Sequence, residues 1–387
     1  MNATIDHSSR AHALLSASSA HRWLACPPSA VAAELYPPQD TPYTREGTTA
    51  HEVAEIVVRE VQEGRNPTLE NYAAWPEGTT REMIEHARDY AEYIQEHITG
   101  PIALTMLEQR VDFSPWVPDG FGTCDCIIIQ QDTLTVIDYK YGEGVAVSAV
   151  DNPQMKLYAL GALNEYGFMY DVEKIELHIY QPRINNISVD KLTITDLMVW
   201  SEKIKPIAAQ AALGEGEYTP GDHCKFCPHT GQCRRLAEVC LQFVKHRGAK
   251  IGVPVLAPFE VAEAPAMEPL ITTWLKRVKE QALTSMLNGE QVPGWKVVEG
   301  KLGNRKWTDD VKAFRVLVSA GYGKDDITET KLLSPAVMDK AIGKKAVAEL
   351  LGGHITREPG KPTIAKESDT RPVYNRDEDI KKALEAE

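Results

Sequence analysis

Apolar residues recur with two distinct periods along this chain, and the two periods predict different elements. Alternation of apolar and polar residues predicts strands at Leu104–Asp112 and Lys174–Gln181. Helical spacing predicts helices at Thr80–Ile98 and Asp196–Leu213, and a further helix starts at Pro153. Because strands and helices alternate, we expect an α/β fold in which helices flank a mixed central sheet.

Two apolar runs in the first half of the chain predict a β-hairpin. The runs, Cys126–Ile129 and Leu134–Ile137, flank the turn-prone tetrapeptide QQDT. Asp125 precedes the first run and Asp138 ends the second. Lys140 follows two residues later, so on a strand it points to the same side as Asp138. Two carboxylates and a lysine therefore gather at one end of a buried hairpin.

Two further polar residues precede the hairpin. Thr49 followed by Glu52 forms a capping-box pattern, which places His51 in the first turn of a helix. The positive end of that helix would favour the neutral form of His51. Glu108 is a candidate acid on the strand before the hairpin, and an exposed position on an edge strand explains it equally well.

Composition and charge limit the classes of protein that this chain fits. Its 387 residues allow one large domain with an appendage, or two domains. The net charge of −13 argues against non-specific wrapping of nucleic acid, so any such site must be a local basic groove. Neither a membrane-spanning run nor a secretory signal is present in the sequence. We therefore expect a cytosolic protein that has no membrane partner.

The seven cysteines suggest metal ligands, because a protein without an export signal rarely forms disulfides. Cys224, Cys227 and Cys233 have the spacing of a metal knuckle. A fourth ligand is needed, and Cys26, at the end of a short predicted helix, is the obvious one. The other candidates for that place are His223, His229 and Cys240. Spacing alone does not decide between zinc and an iron–sulfur cluster.

The side chains at the hairpin suit phosphodiester hydrolysis. Mg²⁺ or Mn²⁺ prefers oxygen ligands, which Asp125 and Asp138 provide. Such a cation lowers the pKa of a bound water and neutralises charge on the phosphorane oxygens. Lys140 beside it would orient the attacking hydroxide or stabilise the transition state. The alternative, two solvated aspartates and a surface lysine, is disfavoured by the apolar runs next to them.

The order of these residues resembles the RecB-like branch of the PD-(D/E)XK nucleases. The matching motifs are Gly47-x3-His51, Gly122–Asp125, Ile137–Lys140 and Gln154-x3-Tyr158. The resemblance covers about residues 16–233 and implies a restriction-endonuclease-like core. The proline that gives the superfamily its name is absent before Asp125, as is common in this branch.

The resemblance also implies roles for individual residues. His51 and the backbone carbonyl of Tyr139 would complete the set of metal ligands. Gln154 and Tyr158 would position the scissile phosphate or hold Lys140. Together with Asp125 and Asp138, these residues form the expected catalytic site.

The cysteines resemble those of the iron–sulfur members of that branch, the AddB type and the CRISPR-associated exonucleases. This resemblance implies a [4Fe–4S] cluster rather than zinc, with four ligands: Cys26, Cys224, Cys227 and Cys233. A cluster shared by these residues would link the start of the nuclease domain to its end.

The C-terminal part of the chain, and its arrangement as a whole, resemble the phage-encoded DUF2800 family. The motifs that carry this likeness are Gly294-Trp-Lys, Asn304–Trp307, Lys361-Pro-Thr and Asp369–Pro372. The predicted divisions are a flexible N-terminus, a nuclease domain with the cysteine cluster, a linker, an α+β region and a flexible tail. Their bounds are 1–15, 16–245, 246–269, 270–365 and 366–387.

The sequence and the resemblances together predict a metal-dependent DNA nuclease of a phage or prophage, in the cytoplasm of the bacterial host. We expect an exonuclease that acts on DNA ends or single strands in recombination or DNA processing. No helicase or ATPase motif is present, so processivity would require a partner such as a phage recombination protein or a helicase. The alternatives are a non-catalytic DNA-binding or recombination-accessory protein with the same fold, and a zinc-knuckle interaction module.

Overall fold

A computed structural model of the protein describes residues 13–37, 41–100, 102–248 and 258–296. Five strands and eight helices lie within these ranges, besides short 3-10 turns. In chain order they are α1 (Ala20–Ala25), α2 (Ser29–Ala33), α3 (Pro42–Gln62), α4 (Arg81–Glu96), β1 (Leu104–Asp112), β2 (Phe121–Gln130), β3 (Thr133–Tyr139), α5 (Pro153–Tyr166), β4 (Lys174–Gln181), β5 (Asn186–Thr193), α6 (Ile194–Leu213), α7 (Arg234–Gly248) and α8 (Pro258–Leu287).

The five strands form one mixed sheet in the order β1-β2-β3-β4-β5. Neighbouring strands are antiparallel except β3 and β4, which are parallel. Parallel neighbours need a crossover connection, and α5 provides it. The predicted α/β fold with helices on a mixed sheet is therefore confirmed.

The central hairpin is buried on both faces of the sheet. Ile127 and Val136 face the core that includes residues of α1, α5 and α6. Ile128 and Ile137 face a second core, formed with α3 and α4. Because successive side chains of a strand point to opposite faces, double burial requires continuous apolar runs. These runs are the ones that predicted the hairpin.

Several predicted elements are found at their expected positions. The strands Leu104–Asp112 and Lys174–Gln181 match their predicted bounds. Thr80 caps α4, and Asn152 caps α5 through hydrogen bonds from the N–H groups at its start. The sequence reasoning missed β5, an alternating strand without a buried residue. Its apolar residues give a weak alternating pattern, because Ile187 and Val189 lie on one face and Leu192 on the other.

Helix α3 begins earlier than predicted, so the expected place of His51 in a first turn is wrong. Thr41 caps the helix by accepting a hydrogen bond from the N–H of Thr44, and Pro42 occupies its first turn. Nothing between Pro42 and Ala50 breaks the helix, so the earlier cap sets its start. His51 therefore lies in about the third turn, beyond the influence of the helix end.

The C-terminal part of the described chain differs from the predicted linker. Helix α8 begins at Pro258, inside the segment 246–269, and contains Pro265 and Pro269. It packs against the short 3-10 turn Pro228–Gly231 of the cysteine-rich segment, where Cβ at Gly231 would come within 2.7 Å of a backbone oxygen of α8.

The chain divides into the units Met1–Val298 and Glu299–Glu387. The predicted α+β region from residue 297 onward, the tail 366–387, and residues 1–12 of the N-terminal segment lie outside the described residues. No helix in the described ranges is long and apolar enough to cross a bilayer.

We expect the protein to lose stability as the pH falls from about 6.5 to about 4. His178 on β4 is buried, its Nδ1 lies 2.7 Å from the hydroxyl of Tyr93, and Nε2 lies 3.4 Å from Glu176. Burial, and then repulsion from His97, lower the pKa of His178 to about 4, although Glu176 opposes this. Since the unfolded chain takes up this proton first, acidification favours unfolding, by up to about 3 kcal/mol.

Thermal unfolding of the wild type and of His178→Asn at pH 7 and pH 5 tests this expectation. The variant is less stable at pH 7 because it loses the contact with Tyr93. Its stability should nevertheless decrease less than that of the wild type between the two pH values. An equal decrease in both proteins would show that His178 does not contribute.

Candidate active site

The candidate site lies where strands β2 and β3 separate. Their pairing extends to Cys126 and Ile137, while β3 continues along β4 as far as Tyr139. The N–H of Tyr139 donates instead to Oδ2 of Asp125, at 2.6 Å. The carboxylate of Asp125 thus replaces a backbone acceptor, and the opening holds Asp125 and Asp138 side by side.

Asp138 is the most buried acid of the site, with 3% of its side chain exposed. Its Oδ1 accepts a hydrogen bond of 3.0 Å from Nε2 of Gln154. Its Oδ2 lies 2.9 Å from Nζ of Lys140, an ion pair without the angles of a hydrogen bond. Burial, and the nearby charge of Asp125, raise the pKa of Asp138 although Lys140 opposes this.

Helix α5 supplies an amide that connects the acid to the lysine. Oε1 of Gln154 accepts from Nζ of Lys140 at 3.3 Å, and Nε2 also lies 3.3 Å from the hydroxyl of Tyr158. Tyr158 fits because residue 122 is glycine, where a Cβ would come within 2.9 Å of the tyrosine ring. The predicted residues Asp138, Lys140, Gln154 and Tyr158 therefore form one connected group.

His51 reaches Asp125 from helix α3. Its Nδ1 lies 3.3 Å from Oδ1 of Asp125, and its ring packs perpendicular to that of Tyr139. Burial lowers the pKa of His51, but attraction to Asp125 outweighs burial and raises this pKa to about 9. Burial by itself would raise the pKa of Asp125. The positive charges of His51 and Lys140 outweigh burial, so the pKa of Asp125 is lowered. In the protein without bound cations, His51 and Asp125 therefore form an ion pair at neutral pH.

Glu108 joins the site from strand β1. Its neighbours Leu107 and Gln109 pair with Cys126 and Cys124, which places Glu108 opposite Asp125. Its backbone has φ +47°, an unusual value for a residue in a strand. Ligand atoms of Glu108, His51 and Asp125 all lie within 4.8 Å of one another. Its side chain is partly buried, so the alternative of an exposed edge position does not hold.

The donor set of this site fits a hard divalent cation. Glu108, Asp125 and Asp138 offer carboxylate oxygens and His51 offers an imidazole nitrogen, once its proton is lost. The ligand atoms of Glu108, Asp125 and His51 lie close enough together for each to be about 2 Å from one shared ion. Oδ2 of Asp138 pairs with Lys140 at 2.9 Å but has no hydrogen bond, so it can also accept a metal ion. The backbone of Tyr139 lies beside these donors.

The predicted cluster ligands meet in a second place, away from the acids. Cys26, Cys224, Cys227 and Cys233 line one small pocket. The N–H of Gly221 points at Sγ of Cys224, at 3.4 Å. Burial raises the pKa of the Cys26 thiol and that of Cys224, so their thiolates need a bound cation. Two of the three rival ligands, His223 and His229, line the same pocket. The third, Cys240, packs beside Cys224 instead.

Comparison with known proteins places the chain in a family. Residues 12–372 match DUF2800, described as "Protein of unknown function (DUF2800)". The chain belongs to the DUF2800 family. Among solved structures, this DUF2800 chain is similar to one titled "Crystal structure of SSO0001", with 14% identity and a TM-score of 0.22. That match covers 48% of this chain and 84% of the other, and its low TM-score supports no conclusion.

We expect His51 of this DUF2800 protein to titrate near pH 9 when no cation is bound, because Asp125 stabilises its charged form. In Asp125→Asn the imidazole remains half-buried without its nearest counterion, so its pKa should fall well below that of the wild type. NMR of histidine labelled with ¹⁵N measures both values. Asp132→Asn, at the far end of the same hairpin, is the control and should leave the titration unchanged. Titration of His51 near pH 6.5 in the wild type would contradict the close contact.

Proposed function

We propose that this DUF2800 protein is a metal-dependent deoxyribonuclease of a phage or prophage, with a PD-(D/E)XK nuclease core. The observation that carries the proposal is the linkage of Asp138, Lys140 and Gln154 beside the acids Glu108 and Asp125. A structural role alone does not account for this group, since burying several carboxylates together costs stability. Ionisable side chains with shifted pKa values cluster at functional sites, so this group is more readily explained by function.

In the proposed reaction, the carboxylates and His51 would hold Mg²⁺ or Mn²⁺. The cation, when bound, lowers the pKa of a water molecule and neutralises charge on the phosphoryl oxygens. Three carboxylates outnumber the two cationic side chains His51 and Lys140, so the empty site is locally negative. A phosphate therefore needs the cation in order to approach, and this favours a metal-dependent mechanism.

Lys140 has the position of a catalytic cation in this proposal. Asp138 and Gln154 both contact its ammonium, which fixes where its charge lies. A preorganised charge stabilises a transition state without the cost of reorienting it during the reaction. Lys140 would orient the attacking hydroxide or stabilise the phosphorane. Tyr158 acts through Gln154, as a positioning residue.

We propose DNA ends or single strands as substrates, and recombination or DNA processing as the role. A phage recombination protein or a helicase would supply processivity. The net charge of −13 supports a local site rather than broad binding along duplex DNA. Among the described residues, we assign this local DNA-binding site to the candidate active site.

We expect Asp138→Ala and Lys140→Ala to lower Mg²⁺-dependent DNA cleavage by about a thousandfold or more, because each removes a charge that acts in the transition state. End-labelled single- and double-stranded DNA with Mg²⁺ or Mn²⁺ reports the rate. Asp132→Asn is the matched control, since Asp132 lies in the same hairpin and pairs with Lys174 at the surface.

Undiminished cleavage by both variants would refute the assigned roles. Absence of cleavage by the wild type, together with absence of Mn²⁺ binding in calorimetry, would favour the alternative, a non-catalytic DNA-binding or recombination-accessory protein. The melting temperature of each variant shows whether it has folded. Loss of activity in a folded variant is the result that supports the proposal.

We infer further that the four cysteines hold a [4Fe–4S] cluster that links α1 to the segment before α7. Cys26 lies far from the other three in sequence and yet lines the same pocket. Zinc is the rival occupant, and His223 and His229 remain possible ligands by position. Cys240 lies outside the pocket lining, which favours Cys26 as the fourth thiolate.

We expect anaerobically purified protein to be brown, to absorb near about 400 nm, and to contain iron and sulfide in equal amounts. Cys26→Ala should lose most of this absorbance, because three thiolates hold a cluster less firmly. Cys240→Ala is the control and should retain it. A colourless protein with one equivalent of zinc would overturn the cluster and support the zinc-knuckle module instead.

A further inference from the structure

A groove beside the candidate active site has no part in the chemistry proposed above. It has a volume of about 470 Å³, a size typical of small-ligand sites. Helix α3 contributes one wall, the loop after β3 the second, and the turn after β4 the third. The lining residues are Tyr43, Glu46, Gly47, Tyr141, Gly142, Glu143, Gly144 and Arg183.

Chain connectivity places this groove next to two residues of the candidate active site, His51 and Lys140. Gly47 precedes His51 by four residues, which is about one turn along the same face of α3. Tyr141 follows Lys140 in the chain. A ligand that extends from the candidate active site along α3 therefore enters the groove.

The charges in the groove disfavour a phosphate. Arg183 is its only cationic lining residue, and it is already engaged. Its Nη1 lies 3.1 Å from Oε1 of Glu46, its Nη2 pairs with Glu143, and its guanidinium lies 4.9 Å from the ring centre of Tyr141. One guanidinium against two carboxylates leaves the groove negative. The side chains of Glu46 and Glu143 are 40% and 54% exposed, so they remain accessible to hydrogen-bond donors.

The apolar surface of the groove suits a flat ring. Tyr43 is 84% exposed although it is aromatic and lies on a helix. Gly47, Gly142 and Gly144 have no atom within 4 Å of the place where a Cβ would stand, so the backbone is open to a ligand. An exposed tyrosine, open backbone and two carboxylates in one groove fit a planar ligand that carries amino groups.

We propose that the groove binds a nucleobase of the DNA strand whose phosphate lies at the candidate active site. The base stacks on Tyr43, and Glu46 or Glu143 accepts hydrogen bonds from its exocyclic amino group. Adenine, cytosine and guanine carry such a group, whereas thymine does not. In a duplex this base would be stacked and paired, so the groove selects single-stranded DNA. The proposal rests on the proposed function for the identity of the ligand as DNA.

The test is the affinity of the full-length protein for fluorescein-labelled oligo(dC) and oligo(dT), measured by fluorescence anisotropy with Ca²⁺ in place of Mg²⁺, because Ca²⁺ also binds oxygen ligands. Wild type should bind oligo(dC) more tightly than oligo(dT). Tyr43→Ala should weaken oligo(dC) binding about tenfold, as expected for the loss of one stacked base. Phe168→Ala removes an aromatic side chain that is 83% exposed outside the groove, and should change nothing.

Glu143→Gln tests the hydrogen bond rather than the stacking. A glutamine amide both donates and accepts, so it should reduce the ratio of the two affinities. That ratio is the readout because freeing Arg183 would strengthen binding of both oligonucleotides alike. Glu202→Gln, at an exposed position on α6, is the control and should leave the ratio unchanged.

Equal effects of Tyr43→Ala and Phe168→Ala, or equal affinity of wild type for the two oligonucleotides, would overturn the nucleobase site. Absence of any single-strand binding would overturn it as well. Because anisotropy measures binding and the end-labelled DNA measures cleavage, the two proposals fail separately. Base-selective binding without any nuclease activity would refute the proposed function alone. Nuclease activity together with oligo(dC) binding that Tyr43→Ala leaves unchanged would refute the groove alone.

Discussion

The constraint on which the site depends is the close placement of three carboxylates in a largely buried position. Asp138 is almost fully enclosed, and Asp125 and Glu108 follow it across the adjacent strands. Like charges in a poorly solvated place repel, so each acid needs a compensating contact. Asp138 has Lys140 and Gln154, and Asp125 has His51 and the N–H of Tyr139. Burial, and then repulsion from Asp125, raise the pKa of Glu108 to about 7, although His51 opposes this.

The topology of the sheet brings these contacts together from distant parts of the sequence. The antiparallel pairs align Glu108, Asp125 and Asp138 in one row across β1, β2 and β3. The parallel pair of β3 and β4 requires a crossover, and its helix α5 begins next to the end of β3. Asn152 fixes where α5 starts, and so places Gln154 beside Asp138. The same connection that closes the sheet thus supplies the amide that holds Lys140.

The features that could be predicted from the sequence are those encoded over short distances. The hairpin, α4, α5 and the pair Asp138 and Lys140 follow from local periodicity and from caps. The position of His51 along α3 could not be found in this way, because Thr41 and Thr49 both have the sequence of a helix cap. The helix starts at the first of them, where Pro42 follows Thr41. The position of Glu108 beside Asp125 depends on strand register and on a positive φ, neither of which leaves a signal in one sequence. The meeting of His51 with Asp125 was implied by family resemblance rather than by spacing.

An acidic protein is an unexpected candidate for a DNA enzyme, and the local charges suggest how the two properties are compatible. Most proteins that bind DNA gain affinity by neutralising phosphates with Lys and Arg. Around the candidate site the acids outnumber the cations, and in the groove Arg183 is engaged by Glu46 and Glu143. In the proposed function, a divalent cation would therefore carry the attraction for the phosphate. Stacking on Tyr43 would carry the attraction for the base. Binding of this kind requires an unpaired strand, since only an unstacked base can reach an aromatic ring, and it leaves the remaining surface free to be acidic.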